Sequence, residues 1–173
     1  MKRTAIVYWL LPAKLERDLF RSIARILRKE FRAPRFEPHL TLFVTEKHHA
    51  SPKGALQKIR ARPVRLATGG VAFSRKFTKT LFVRFKSSPV LRKLVTDVAR
   101  AAKSSAKVPN DPHVSLLYKK MSRTAKKEMA SVLRLPFRTV LFDSIVAVRL
   151  TLPVATGGYV ERWKIVAKKS LCR

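Results

Sequence analysis

The chain has 173 residues, of which 46% are hydrophobic and 28% charged, and this composition predicts one folded domain while excluding low-complexity, collagen-like and long multidomain proteins. Its 39 lysines and arginines against 10 acidic residues give a formal charge of +29, which predicts an anionic partner. No apolar run is long enough to cross a membrane, which favours a soluble, cytoplasmic protein. The chain has a single cysteine, Cys172, which excludes an intrachain disulfide and a cysteine-rich zinc site.

The first part of the chain is predicted to form two strands and two helices. The apolar run over 4–11 (TAIVYWLL) predicts a buried strand. Over 14–31 apolar residues recur at helical spacing opposite a row of arginines, which predicts an amphipathic helix. A second strand is expected over 39–44. A short helix is expected near 51–60, with Ser51 as its N-cap.

The rest of the chain is predicted to contain further strands and helices. They are strands over 62–74 and 77–86, a helix from Ser88 to about 104, a strand over 113–118, a helix over 122–133, two strand segments within 137–151 that break near Asp143, and a last strand over 159–167 after a Gly157–Gly158 turn. Because strands and helices are mixed without strict alternation, we expect an α+β fold with mainly antiparallel sheets.

One short pattern occurs twice in the chain, as PHLTL from Pro38 and as PHVSL from Pro112. The order of proline, histidine, apolar residue, hydroxyl and leucine is too specific for a chance pairing in this composition, so it predicts an internal duplication. Side chains of a strand alternate between its faces, so each histidine projects together with the hydroxyl two residues on. The pairs are His39 with Thr41 and His113 with Ser115.

Two such pairs suit chemistry at phosphorus if the two halves pack about a pseudo-twofold axis. One neutral imidazole then accepts a proton from water, and the other, protonated, donates a proton to the leaving oxygen. The hydroxyls of Thr41 and Ser115 can bind the non-bridging phosphate oxygens. Which histidine is the base stays open at this point.

The paired HLT and HVS motifs resemble those of the 2H phosphoesterase superfamily, which includes 2′,3′-cyclic phosphodiesterases and RNA 2′,5′-ligase-like enzymes. The stretches VYWLLP, EFRAPRFEPHLTLF, DPHVSLLY and VERWKIVA are similar to the cyclic phosphodiesterase branch, whereas 47–112 matches weakly. The resemblance implies a single domain over 1–173 built from two lobes of antiparallel sheet flanked by helices, with His39 in one lobe, His113 in the other and a cleft between them. It also implies hydrolysis to a 2′-phosphate without a metal or other cofactor.

The resemblance assigns catalysis and phosphate binding to four residues: His39, His113, Thr41 and Ser115. It also places Trp9 and Tyr118 near the substrate, where aromatic rings stack on a base or wall the pocket. For Trp9 a place in the core is an equal alternative. Strict alternation turns Tyr118 away from Ser115, so only a bulge or the end of the strand would bring it to the site. We expect Trp163 to lie in the core.

Metal binding is the minor interpretation of the histidines. His48 and His49 are neighbours whose side chains point in different directions, so we expect them to be solvated rather than a metal pair. The four histidines could together bind zinc, but their spacing does not support it. The hydroxyls that accompany His39 and His113 favour phosphate instead.

The region 47–96 contains many basic residues and no acidic one. We interpret it as an electropositive surface for non-specific RNA binding. Four phenylalanines are candidate stacking surfaces within it: Phe73, Phe77, Phe82 and Phe85. The alternative is a generally basic protein with these rings in its core.

Three functions follow from these observations. The leading hypothesis is a monomeric cyclic phosphodiesterase that hydrolyses a 2′,3′-cyclic phosphate on a nucleotide or RNA end, or an ADP-ribose cyclic phosphate. The second is an RNA 2′,5′-ligase or an enzyme that trims RNA 3′ ends, with the same fold and histidines. The third is a basic RNA-binding protein with an inactive cleft.

Overall fold

The structure is a computed structural model that describes residues 2–46, 50–104, 111–154 and 156–171. Its strands and helices are, in chain order, β1 (Arg3–Pro12), α1 (Lys14–Phe31), β2 (Leu40–Thr45), α2 (Pro52–Lys58), β3 (Val64–Phe73), β4 (Leu81–Phe85), α3 (Pro89–Ala101), β5 (His113–Leu117), α4 (Arg123–Val132), β6 (Thr139–Leu152), α5 (Gly157–Val160) and β7 (Lys164–Ser170). A short 3-10 helix, Phe77–Lys79, precedes β4.

The seven strands pair only with antiparallel neighbours, in the order β1-β2-β5-β4-β3-β6-β7. β1 also pairs with β6, so six strands form a closed circuit and β7 lies outside it. One lobe contains β1, β2, β6 and β7, and the other contains β3, β4 and β5. The lobes join where β6 pairs with β3 and where β2 meets β5 at Leu40 and Val114. The predicted α+β, two-lobed antiparallel fold is therefore confirmed.

Two strand-helix-strand units are arranged alike, one from β1, α1 and β2 and the other from β4, α3 and β5. In each, the strand with the histidine motif pairs antiparallel with the first strand and carries one extra residue directly after the hydroxyl position. The extra residues are Leu42 and Leu116, which are skipped in the pairings. The interpretation of these units as products of duplication within one domain stays a prediction.

Three helices begin where a serine accepts a hydrogen bond from a backbone N–H of the first turn. The serine hydroxyls of Ser51, Ser88 and Ser122 lie 3.0, 3.1 and 3.2 Å from the donor nitrogens, the N-cap geometry that satisfies an unpaired donor. Proline follows directly in α2 and α3, which confirms the predicted starts at Ser51 and Ser88. α1 begins without a side-chain cap.

Strand β1 is buried on both faces and separates two apolar clusters. On one side Tyr8 and Leu10 pack into the main core, which also receives the buried faces of α1, α2 and α3. On the other side Val7 and Trp9 belong to a smaller cluster with residues of β6. Alternation along β1 therefore places Trp9 on the sheet face opposite the helices.

Three boundary predictions are wrong. The strand expected over 77–86 begins at Leu81, because residues 77–79 form a 3-10 helix. β6 is one continuous strand over 139–152 rather than two segments, because Asp143 is an irregularity within it. Residues 139–142 pair with β3 and residues 144–149 pair with β7. The last strand begins at Lys164 rather than near 159, because the preceding residues form α5.

No helix within the described ranges combines the length and the apolar character that crossing a membrane requires.

Candidate active site

The two histidine motifs lie side by side in the sheet. β2 and β5 pair through Leu40 and Val114, which are fully buried on the core side. Because side chains alternate along a strand, the flanking residues project from the opposite face. That face therefore carries all four predicted residues of the motifs: His39, Thr41, His113 and Ser115.

The register of this pair relates the motifs by an approximate twofold axis. Leu40 and Val114 hold equivalent central positions, so each histidine lies beside the hydroxyl residue of the other strand. The two histidines are then diagonal neighbours, which lie roughly 7–8 Å apart across an antiparallel pair. The charge of His113 also contributes to lowering the pKa of His39, which is consistent with this proximity. The structure thus brings the two imidazoles together on one surface.

Each histidine also has an aromatic neighbour from the adjoining strand. β1 places Trp9 opposite Thr41, and β4 places Phe82 opposite Ser115. The Trp9 ring stacks on His39 with 3.6 Å between centroids and 11° between planes. Phe82 instead meets His113 edge-on, at 5.3 Å and 66°. Trp9 and Phe82 therefore hold equivalent positions in the sheet, but one stacks on its histidine and the other meets its histidine edge-on.

His39 is held as a neutral imidazole. Its Nδ1 lies 2.6 Å from the carbonyl oxygen of Glu37, and a carbonyl only accepts, so Nδ1 carries the proton and Nε2 is left with a lone pair. Burial disfavours the charged ring and lowers the pKa of His39 to about 3, although the Glu37 hydrogen bond opposes the shift. Only 7% of the residue is exposed. At neutral pH Nε2 is consequently a proton acceptor.

His113 is oriented in the same way but lies in a more open, charged setting. Its Nδ1 donates to the carbonyl oxygen of Asp111 at 2.8 Å, and the residue is half-buried. Burial lowers the pKa of His113, with further lowering by Lys79 and Lys76, while the Asp111 carbonyl and carboxylate raise it. Lys79 is ion-paired with Asp111 and lies 4.3 Å from the centroid of the Phe82 ring.

The two hydroxyls differ in their hydrogen bonding. Thr41 is half-buried, and within the described part of the chain its hydroxyl has no hydrogen-bond partner. Ser115 is 4% exposed and its hydroxyl donates to the carbonyl oxygen of Thr78 at 2.9 Å. Thr41 is therefore free to donate to a bound anion, whereas Ser115 must first rotate its hydroxyl.

Three further aromatic rings form a wall beside His39. Trp163 lies 5.3 Å from Trp9 and 6.0 Å from His39, and Tyr118 lies 5.9 Å from Trp163. Phe36 stacks on Tyr118 at 4.0 Å. Burial raises the pKa of Tyr118, and a hydrogen bond with Ser115 opposes the rise.

The bulge at Leu116 explains the position of Tyr118. Leu116 and the next residue, Leu117, both pack into the main core, which interrupts the alternation by one residue. Tyr118 therefore lies on the face that carries Ser115, and the bulge is one of the two features that its predicted position required. Trp163, expected in the core, is half-buried and packs both on the smaller cluster and on His39.

Several residues around the site were missed in the sequence. Glu37 and Asp111 occupy the same position two residues before their histidines, so an acidic residue before each Pro-His was a signal the motif comparison could have included. Lys79, Trp163 and Phe36 had no such signal. They reach the histidines only through the folding of segments distant in sequence or without a repeat.

The prediction that four phenylalanines in 47–96 are stacking surfaces is wrong for two of them. Phe82 and Phe85 are buried and cannot receive a base, because their faces pack within the protein. Phe73 and Phe77 are half-buried. His48 and His49 lie outside the described residues, and among the residues that are described no three His, Cys, Asp or Glu side chains are grouped as metal ligands.

Comparison with known proteins assigns this architecture to a family. The sequence profile of the 2′-5′ RNA ligase superfamily matches residues 12–151. A curated cyclic phosphodiesterase from Arabidopsis thaliana is 27% identical over 135 residues, which span 73% of this chain and 72% of that protein.

Solved structures have the same fold. LigT of E. coli in its apo form aligns over all of both chains with a TM-score of 0.60 and 17% identity. TT0787 of Thermus thermophilus aligns over 96% of this chain and 97% of its own, with a TM-score of 0.57 and 18% identity.

Proposed function

This chain belongs to the 2′-5′ RNA ligase superfamily, and we propose that it hydrolyses 2′,3′-cyclic phosphates to 2′-phosphomonoesters with His39 and His113 as its general base and general acid. The observation that carries the proposal is the equivalent placement of the two imidazoles. Both lie on one face of a strand pair, and both have Nδ1 bonded to a backbone carbonyl. Nε2 of each ring is left to exchange protons with a substrate.

His39 is the base in this proposal. Its burial against Trp9 and its lowered pKa keep the ring neutral and ready to accept a proton. His113 is the acid, because it is more exposed than His39 and because the Asp111 carboxylate opposes the lowering of its pKa by burial, Lys79 and Lys76. A bound phosphate anion favours protonation of His113 further.

The reaction then proceeds by displacement at phosphorus. The oxygen of water attacks phosphorus while its proton passes to Nε2 of His39. The bond between phosphorus and O3′ breaks, and Nε2 of His113 supplies the proton that O3′ requires. The product has a free 3′-hydroxyl and a 2′-phosphate, and a proton transfer through solvent restores both histidines. Each proton transfer of this kind is typically worth about 10²–10⁴ in rate.

Thr41 and Ser115 are proposed to hold the phosphate. The unpartnered Thr41 hydroxyl donates directly to a non-bridging oxygen. Ser115 does so after releasing the Thr78 carbonyl, while Lys79 adds positive charge close to His113. Positioning and charge stabilisation of this type are what phosphoryl chemistry chiefly requires.

The aromatic residues divide into two roles. Trp9 already covers one face of His39, so we assign it to positioning the base. Tyr118 is buried and Phe36 stacks on its ring, so we assign Tyr118 to supporting the wall of the pocket. The half-buried rings beside it, Phe36 and Trp163, are proposed to contact the nucleoside part of the substrate, because rings of this type stack on bases of any sequence. The Arabidopsis thaliana relative named a cyclic phosphodiesterase and the LigT structure with 3′-AMP support a nucleotide substrate.

The direct experiment incubates the protein with 2′,3′-cyclic AMP, ADP-ribose cyclic phosphate and an oligonucleotide ending in a cyclic phosphate, each with and without EDTA, and identifies the products. We expect 2′-phosphomonoesters from the nucleotide and oligonucleotide substrates, at rates that EDTA leaves unchanged. The matched controls are His39→Ala and His113→Ala, checked for folding by circular dichroism, and we expect both to lose turnover.

Other outcomes identify the alternatives. Joining of RNA ends through a 2′,5′ bond would assign the chain to ligation, and shortening of 3′ ends would assign it to trimming. RNA binding without turnover of any substrate, or full hydrolysis by either alanine variant, would refute the proposal.

A further inference from the structure

We propose that an arginine-lined groove along α1 binds the RNA strand that leads to the cyclic phosphate, an inference that rests on the proposed function and names its substrate as an RNA end. The groove was not predicted from the sequence, which pointed to 47–96 for RNA binding. It consists of two adjoining cavities, the inner groove next to Trp9 and the outer groove along α1.

The two cavities adjoin each other. The inner groove has a volume of about 440 Å³ and the outer groove about 470 Å³. Both are lined by the same four residues: Arg28, Arg35, Phe36 and Glu37. A single extended ligand that follows these shared residues would contact both cavities.

The inner groove lies beside the aromatic rings that contact His39, although none of the four motif residues lines it. Its walls include Trp9 and Trp163, the two rings that contact His39 at 3.6 and 6.0 Å. Phe36, which is shared by both cavities, stacks on Tyr118. In this proposal a strand whose last phosphate lies between the histidines passes these rings to enter the groove.

Part of the inner groove is apolar, which suits a nucleobase, while Glu37 and Glu161 are its acidic residues. Val148, Val160 and Ile165 line it together with the two tryptophans. Ile165 is 55% exposed, so its side chain is open to a ligand. Base stacking on such a surface does not depend on the identity of the base.

The arginines supply the charge that a phosphate backbone requires. Within the described residues Arg25, Arg28 and Arg35 form no side-chain ion pair, whereas Arg21 is paired with Asp18 and Glu37. Arg25 and Arg21 continue the lining along α1. Guanidinium groups bind phosphate oxygens through two parallel hydrogen bonds, so this row favours a chain of phosphates over a single one.

A second basic groove provides a matched control. It has a volume of about 460 Å³ and lies against the C-terminal half of α3, lined by Lys58, Arg60 and Arg100 among others. Neither His39 nor any residue in ring contact with it lines this groove. Lys58 and Arg60 are exposed and form no ion pair in the described part of the chain.

The experiment compares kcat/KM for 2′,3′-cyclic AMP with that for di- and tetranucleotides ending in a 2′,3′-cyclic phosphate. We expect the wild type to gain about tenfold from the mononucleotide to the tetranucleotide, the scale of one added stacked base. The double variant Arg28→Gln/Arg35→Gln should lose this gain and keep its rate on 2′,3′-cyclic AMP within about twofold. The control Lys58→Gln/Arg60→Gln should keep the gain.

Binding is measured separately from turnover. The affinity of each protein for a fluorescent tetranucleotide with a 3′-phosphate is measured at several salt concentrations. The His113→Ala variant is measured in the same way. Replacing the two arginines should flatten the plot of log affinity against log salt by about 0.7 for each phosphate that is no longer neutralised. Arg25→Gln, an exposed single change, serves as the second variant if the double variant unfolds.

The outcomes separate the two proposals. If the wild type turns over no substrate, the proposed function fails. The groove assignment still stands in that case if the affinity for the tetranucleotide becomes less dependent on salt in the arginine variants alone. If hydrolysis occurs without any gain with length, or if the α3-side control loses as much affinity as the α1 variant, the groove assignment is overturned.

Discussion

His39 and His113 hold equivalent positions in their strand-helix-strand units, but one ring is enclosed by aromatic residues and the other borders a charged cluster. The Trp9 ring stacks on His39, and Trp163 lies edge-on to both rings. His113 lies near Lys79 and Asp111, with Phe82 meeting it only edge-on. A repeated backbone can thus place two identical groups symmetrically while their surroundings act differently on them: burial lowers the pKa of His39 to about 3, whereas at His113 the charges of Lys79 and Asp111 act on the pKa as well as burial.

The first prediction breaks the symmetry by replacing one histidine at a time with glutamine. Either change should lower kcat/KM for 2′,3′-cyclic AMP by about 10²–10⁴. In the wild type the rate should fall at low pH as His39, with its pKa near 3, becomes protonated. It should also fall as the pH rises through the pKa of His113, which burial lowers below its ordinary value.

The two variants distinguish the roles. His39→Gln should remove the low-pH decline, and His113→Gln should remove the high-pH decline, when kcat/KM is measured across pH. If the declines disappear in the opposite order, the assignment of base and acid is reversed.

A second prediction concerns stability and follows from the burial of His39. In the unfolded chain its pKa returns to about 6.5, while in the folded protein it is about 3. Between these values the unfolded chain binds the extra proton, so stability is complete above the upper value and is lost as the pH falls. The loss is about 1.4 kcal/mol for each pH unit.

Urea unfolding at several pH values measures this effect. His39→Gln should show a shallower loss of unfolding free energy on acidification than the wild type. His113→Gln should resemble the wild type more closely, because His113 is less buried. Parallel curves for wild type and His39→Gln would contradict the buried, neutral state assigned to His39.

Features set by residues close in sequence could be predicted, whereas features set by contacts between distant segments could not. The paired histidines and hydroxyls follow from a local pattern, and the serine caps of α2 and α3 from neighbouring residues. The place of Trp163 beside His39 could not be predicted, because it depends on how β7 returns to β6. The continuity of β6 through Asp143 could not be predicted either. A polar residue inside a strand resembles a break until the strands that pair on either side of it, here β3 and β7, are known.

A third prediction compares the two hydroxyls. Thr41→Val should lower kcat/KM by about 10–100-fold, because a hydrogen bond to a charged group is worth about 1.5–3 kcal/mol. Ser115→Ala should reduce it less, since that hydroxyl is already bonded to the Thr78 carbonyl. Thr41→Ser is the control and should retain most activity. Equal losses from Thr41→Val and Ser115→Ala would indicate that the bond to Thr78 is released at little cost.

The smallest expected effect concerns the equivalent helices α1 and α3. Ser88 caps α3 by accepting from Leu91, while α1 has no side-chain cap. Ser88→Ala should lower the free energy of unfolding by about 1 kcal/mol. Activity on 2′,3′-cyclic AMP should be unchanged, with Ser88→Asp, which can also cap, as the control. A loss of activity in the alanine variant would mean that α3 influences the site.

A crystal structure with 2′-AMP shows whether two imidazoles from equivalent strands act on one phosphorus atom. We expect Nε2 of His39 and Nε2 of His113 on opposite sides of one phosphate, each about 2.7–3.2 Å from a phosphate oxygen. A phosphate held by only one of these rings, with the other out of hydrogen-bonding reach, would contradict this expectation.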